Sequence, residues 1–201
     1  VIDWSPPPGT RGLIFDCDGT LADTMPAHHR AWVAMLAPRG LAFPEARFYQ
    51  LGGVPTAQII RILSDEQGVP VADTDIPAMV AEKEADFLTF LTFLGEVEPV
   101  APVVAVAAAY RGKLPMAVAS GGYTDVVRKT LARIGVADWF GATVCAEDTA
   151  RHKPEPDVFI EAARRLGVPA TACVVFEDTD IGLEAARRAG AHPVDVRPWR
   201  G

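Results

Sequence analysis

Nowhere does this chain hold an unbroken apolar run near the roughly 18 residues that cross a bilayer, so no membrane span is expected. Cysteine is scarce too. Cys17, Cys145 and Cys173 stand far apart and are odd in number, which suits a reducing compartment and excludes a disulfide scaffold. Positive charge is in deficit, 19 Lys and Arg against 26 Asp and Glu, and a net charge of −7 works against a general grip on nucleic acid. The opening VIDWSPPPGTR has no basic region followed by an apolar one, as a secretory signal would. These absences lead to the expectation of a soluble cytoplasmic protein.

What is present suffices for a core. Apolar residues make up 49% of the 201 and charged residues 22%, a composition that rules out disorder. At this length about 70% of the open-chain surface is buried on folding, enough without disulfides or structural zinc.

GLIFDC, residues 12–17, is short, β-rich and flanked by turn residues, which predicts a buried strand. Between 23 and 95 the pattern is helical: 26–38 with Trp32, Met35 and Leu36 on one stripe, then 55–63, then 77–94 opened by a proline. EVEPVAPV, residues 96–103, reads as a proline-stiffened return linker. Thereafter helices near 101–111, 123–134, 155–166 and 180–189 alternate with strands at 114–119, 142–146, 171–176 and 192–196. Repeated strand–helix units of this length imply a parallel sheet covered on both faces. The expected fold is therefore α/β, a Rossmann-like three-layer core formed by 1–22 and 97–201, with a small α-helical cap inserted at 23–96.

Right-handed crossovers put all strand C-termini on one edge, where open α/β sheets bind their ligands. That edge collects Asp16, Asp18, Gly19 and Thr20 after the first strand, then Ser120, Gly121 and Gly122. It also receives Lys153 and the pair Glu177-Asp178. Carboxylates gathered so closely repel one another without a cation, and hard oxygen donors with no soft ligand point to Mg²⁺ rather than zinc. Lys153 and Ser120 suit an anion lying against that cation. Together the groups describe a phosphoryl-transfer pocket, with Asp16 as nucleophile and Asp18 as general acid and base. Lys153, Ser120, and N–H groups after residues 17 and 120 would hold the equatorial oxygens, aided by the amides of the helix opening near Tyr123.

Taken singly these residues are weaker signals. Alone, Ser120 reads as a helix cap and Lys153 as a solvated surface lysine, and Glu177-Asp178 also fits helix N-terminal charge. FDCDGTLADT is more specific, because carboxylates, Gly and Thr follow a buried strand in fixed order.

The segments FDCDGTLADT (15–24), VASGG (118–122), HKPEPDVF (152–159) and VFEDTDIGLEAARRAG (175–190) resemble the haloacid-dehalogenase-type phosphohydrolases. The helical insert after the first motif is similar to the subgroup of β-phosphoglucomutase and small sugar phosphatases. LGGVPT (51–56) and AHPVDVR (191–197) resemble the bacterial fructose-1-phosphate and 6-phosphogluconate phosphatase-like members. The resemblance implies Asp16 as nucleophile, Asp18 as acid/base, and Ser120 and Lys153 as phosphate ligands. It implies a Mg²⁺ site completed by Asp178 with Glu177, directly or through water, and substrate contacts near the cap hinge from Thr24 and His28, with Gly121 in the phosphate loop.

One departure matters. The mutase pattern has an arginine just after the Gly-Val segment, where this chain has Thr56, and the nearest arginine is Arg61. Losing that clamp favours hydrolysis over mutase chemistry, since a bisphosphate must be held at both ends and turned around. A helical lid limits substrates to small phosphorylated metabolites. Lys83 between Glu82 and Glu84 reads as a surface ion pair, and Phe87, Phe90 and Phe93 as cap packing. A phospho-accepting signalling domain needs neither the insert nor Asp18, and dehalogenation needs neither metal nor acid. A catalytically idle interaction protein has no need for the whole pocket. A monomer is sufficient for the expected chemistry, with no nucleic acid or membrane partner.

Overall fold

Gly12–Phe15 alternates its side chains between two faces, and both faces are apolar, so this strand (β1) can only lie inside a sheet covered on each side. A computed structural model of the chain describes residues 4–93 and 97–200, without the side chains of 92 and 93. In it β1 is the middle of a five-stranded parallel sheet. The other strands are β4 (Met116–Ala119), β5 (Ala142–Val144), β6 (Cys173–Glu177) and β7 (His192–Asp195), in the order β5-β4-β1-β6-β7. The remaining two, β2 (Ala22–Asp23) and β3 (Glu98–Pro99), pair antiparallel in a two-residue ribbon.

The period-two alternation sorts the sheet's side chains. Leu13, Phe15, Met116, Val118, Val174 and Phe176 join one cluster, closed by α5 (Ala101–Tyr110) and α6 (Thr124–Arg133). Ile14, Ala117, Ala119 and Val175 join another on the opposite face, closed by α7 (Asp157–Leu166) and α8 (Asp180–Arg188). Phe15 and Phe176, neighbours in register, stack with ring centroids 4.6 Å apart. The three layers are those expected from the alternating pattern.

The chain divides into two compact units, Val1–Asp23 with Val97–Gly201, and Thr24–Glu96. The second is helical: α1 (Met25–Leu36), α2 (Glu45–Gln50), α3 (Thr56–Gln67) and α4 (Ile76–Phe93). Its own apolar cluster includes Trp32, Met35, Phe43, Phe48, Ile60 and Leu63. Residue 94, the expected end of α4, lies outside the described residues, as does residue 96 at the start of the expected linker. Some features differ from the sequence expectation, among them the short strand β2, which no pattern at 22–23 announces. The helix α2 is too short for periodicity to reveal, and part of the expected linker is the strand β3.

The sheet order places the topological switch at β1, because β4 lies on one side and β6 on the other. Ladder hydrogen bonds run past the strand ends: the Asp16 N–H donates to the Phe176 carbonyl (3.0 Å) and the Ser120 N–H to that of Val144 (2.9 Å). The first residue beyond each of these two strands is thereby held by the sheet's own hydrogen bonding.

Among the described residues no helix is long and apolar enough to cross a membrane.

Candidate active site

After Asp16 the backbone turns at once. The Cys17 carbonyl accepts from the N–H groups of Leu21 and Ala22, both at 3.0 Å, and Gly19 takes φ +84°. Gly19 is needed twice over. Its backbone conformation disfavours any side chain, and a Cβ there would sit 2.1 Å from Asp178 Oδ2. The absent side chain lets the β6 carboxylate lie directly on the β1 turn. Thr20, fully buried, donates from its hydroxyl to Asp178 Oδ1 at 3.2 Å.

Lys153 is the hub. Its Nζ donates to Asp16 Oδ1 at 2.7 Å and to Glu177 Oε1 at 2.6 Å, with all three side chains less than a tenth exposed. Both carboxylates hold the ammonium charged and push its pKa up against the opposing effect of burial. Glu177 is anchored from behind: its Oε2 accepts from the Thr179 N–H (2.6 Å) and hydroxyl (2.9 Å). With both oxygens engaged, Glu177 supports the lysine and ties it to the turn that opens α8.

Ser120 is buried at the end of β4, and its Oγ accepts the N–H of Gly122 at 3.0 Å. A Cβ on Gly122 would lie 3.2 Å from Ser120 Oγ and 3.4 Å from Asp18 Oδ2, so the Asp18 carboxylate sits beside this loop. Gly121 is exposed at its tip. The start of α6 differs from expectation. The Thr124 N–H donates to the Glu147 carboxylate at 3.0 Å, which caps the helix and takes that amide from any incoming anion. Glu147 was not legible as a participant, because it comes from the distant turn after β5.

Within the helical unit Thr24 is fully buried and its carbonyl accepts the His28 N–H at 2.9 Å. The His28 ring stacks on Phe87 at 3.7 Å, and its Nδ1 lies 3.1 Å from Lys83 Nζ. Lys83 also bonds Glu84 at 3.0 Å and is only 4% exposed, which corrects the expectation of a surface ion pair. Between Trp32 and Phe87 its ammonium gains cation–π contact at both rings. Phe87 packs inside as expected, whereas the Phe93 side chain lies outside the described residues. Arg61 pairs with Asp73 at 3.1 Å within the same unit.

A cation is implied by the chemistry, and the donors can be tested against it. Among the described residues no three His, Cys, Asp or Glu side chains converge into a ready-made metal nest. The charge balance nevertheless fits a hard cation. Burial pushes Asp16 well above the usual carboxylate range; Lys153 opposes this, but Glu177, Asp178 and Asp18 add to it. Asp178 is pushed up to about 7, first by burial and then by Glu177. Lys153 and Arg200 oppose this density of acid without offsetting it, and the donors are all hard oxygens, the kind a hard cation takes.

A family model for haloacid dehalogenase-like hydrolases matches residues 10–190, so the chain belongs to that family. The fructose-1-phosphate phosphatase YqaB of Escherichia coli K12 is 41% identical over 186 residues, covering 92% of this chain and 96% of that protein. The 6-phosphogluconate phosphatase of the same organism is 29% identical, over 89% of this chain and 78% of its own length. A β-phosphoglucomutase structure from Clostridium difficile has the same fold, with a TM-score of 0.80 at 19% identity over 92% of this chain and 84% of that one.

Proposed function

We propose that the chain is a Mg²⁺-dependent phosphatase of small sugar phosphates, of the fructose-1-phosphate or 6-phosphogluconate type, working through an aspartyl phosphate on Asp16. The observation that carries this reading is the buried Lys153 ammonium held between Asp16 and Glu177 at the sheet edge. It is a fixed positive charge beside a carboxylate whose second oxygen is not used by the lysine. The names of the YqaB and 6-phosphogluconate phosphatase relatives support the substrate class.

When bound, Mg²⁺ supplies positive charge that removes the repulsion between the nucleophile and the phosphate. Asp16 and Asp178, with an oxygen from Asp18, would hold it. Asp16 attacks phosphorus and the bond to the sugar oxygen breaks, leaving the phosphoryl group on Asp16. Asp18 gives its proton to the departing sugar oxygen, then takes one from the water that attacks the aspartyl phosphate. Inorganic phosphate leaves and both carboxylates return to their starting states. Ser120, Lys153 and backbone N–H groups of the Asp18 and Gly121 turns hold the equatorial oxygens. Of the two residues expected at the hinge, Thr24 is fully buried and His28, whose imidazole Lys83 fixes, is the candidate for substrate recognition.

Phosphate release with Mg²⁺ on fructose-1-phosphate, 6-phosphogluconate, glucose-6-phosphate and β-glucose-1-phosphate tests the reading. Free phosphate from the first two is expected, and it is expected to disappear in Asp16→Asn with the fold intact by circular dichroism. Glucose-6-phosphate formed from β-glucose-1-phosphate with little free phosphate would identify a mutase instead. Mg²⁺-dependent turnover surviving in Asp16→Asn would remove the nucleophile assignment.

A further inference from the structure

Beyond β7 the chain is tied to the site by several contacts. The Val196 N–H donates to the Glu177 carbonyl at 2.9 Å, and a single 3₁₀ turn, Arg197–Trp199, follows. Trp199 meets the Phe176 ring edge-on at 6.0 Å between centroids. Arg197 pairs with Asp195 at 2.7 Å and with Asp180, the first residue of α8, at 2.9 Å. These anchors deliver Arg200 across the carboxylate cluster. Its Nη2 donates to Asp23 Oδ1 at 2.7 Å, and its Nη1 lies 3.4 Å from Asp178 Oδ2. The hydrolytic steps make no use of this arginine.

We propose that Arg200 is a positioning residue that acts through Asp178 to hold down the affinity of the site for a divalent cation. The inference rests on the reading of Asp178 as a cation-holding carboxylate. Orienting Asp178 does not require Arg200, since the Thr20 hydroxyl holds Oδ1 and the carboxylate lies in the space left by Gly19. The contact to Asp178 is long for a hydrogen bond, whereas the contact to Asp23 is short and sets where the guanidinium sits. What Arg200 brings to Asp178 is charge. A cation arriving there meets a like charge a few ångströms away, under partial solvent screening, because the Asp178 side chain is 5% exposed and that of Arg200 22%. The C-terminal turn thus carries a fixed positive charge that partly neutralises the site before a cation arrives and opposes the cation afterwards.

Calorimetric titration of MgCl₂ into the substrate-free protein at one ionic strength and at pH 9, where Asp178 is ionised and no proton competes with the cation, tests this without any turnover. Arg200→Gln is expected to bind Mg²⁺ at least about fivefold more tightly than the parent, and Arg200→Lys, which keeps the charge, within about twofold of it. Arg200→Met replaces the glutamine variant if that one does not melt cooperatively. Neutral variants that bind equally or more weakly overturn the proposal, as does a lysine variant that behaves like the neutral ones. Asp178→Asn is expected to lose most of the binding. If it binds like the parent, the cation role of Asp178 itself fails, a result distinct from an error about Arg200.

Discussion

Asp178 shows what one buried carboxylate costs. Burial, reinforced by Glu177, raises its pKa to about 7, while an unfolded aspartate titrates near about 3.9. The native protein therefore keeps a proton that the unfolded chain loses between those values. Its contribution to stability is full below about pH 4 and declines as pH rises through 7 in the cation-free protein. Asp16 adds a contribution of the same sign. Asp178→Asn is expected to raise the cation-free melting midpoint at pH 8 by on the order of 5 °C, and to leave it nearly unchanged at pH 4. Equal midpoints for variant and parent at pH 8 would contradict the strain assigned to this carboxylate.

The turn from β6 into α8 joins a strand end, a helix cap and the lysine in one unit. Thr179 caps α8 by accepting the Gly182 N–H at 3.1 Å, while Glu177 folds back over the first turn of the helix. A Cβ on Gly182 would sit 1.8 Å from Glu177 Oε1. Gly182 is present for space, since its φ is not in the left-handed region. Gly182→Ala gains about 1 kcal/mol of helix propensity, but displacing Glu177 costs about 1–3 kcal/mol and loosens Lys153. Lower stability and at least about a tenfold drop in kcat are expected. A stabilised, fully active variant would show that Glu177 does not need its place over the helix. In sequence nothing in DTDIG shows why the glycine is needed, because the clash that selects it exists only after the glutamate has folded back.

At the scale of the whole chain, each unit carries its own apolar cluster. We read them as two domains. The ribbon pairs Asp23 with Glu98, so the ends left by removing 24–96 are neighbours and a short Gly-rich turn can join them. A chain rebuilt in that way is expected to fold cooperatively, to hydrolyse an unselective aryl phosphate slowly, and to lose its preference among sugar phosphates. Absence of a cooperative thermal transition would show that the core depends on the helical insert.

The parallel three-layer fold was readable because strand and helix periods alternate through the second half of the chain, and hydrophobic burial follows those periods. The pocket was readable because its residues terminate successive strands, and parallel crossovers leave those ends only one edge to share. The residues that remained hidden depend on contacts between distant segments. Lys83 is buried only when α1 and α4 bring Trp32 and Phe87 around it, and β3 is a strand only because Asp23 is there to pair with Glu98. Glu147 caps α6 from another strand's end, and Arg200 reaches Asp178 because Trp199 settles on Phe176. The sequence by itself determined which chemistry gathers at the sheet edge, through local pattern and strand order. Only the tertiary structure decided which of those charges support the lysine and which outside residues hold them there, since hydrogen bonds and charge pairs of that kind are set by distance in space.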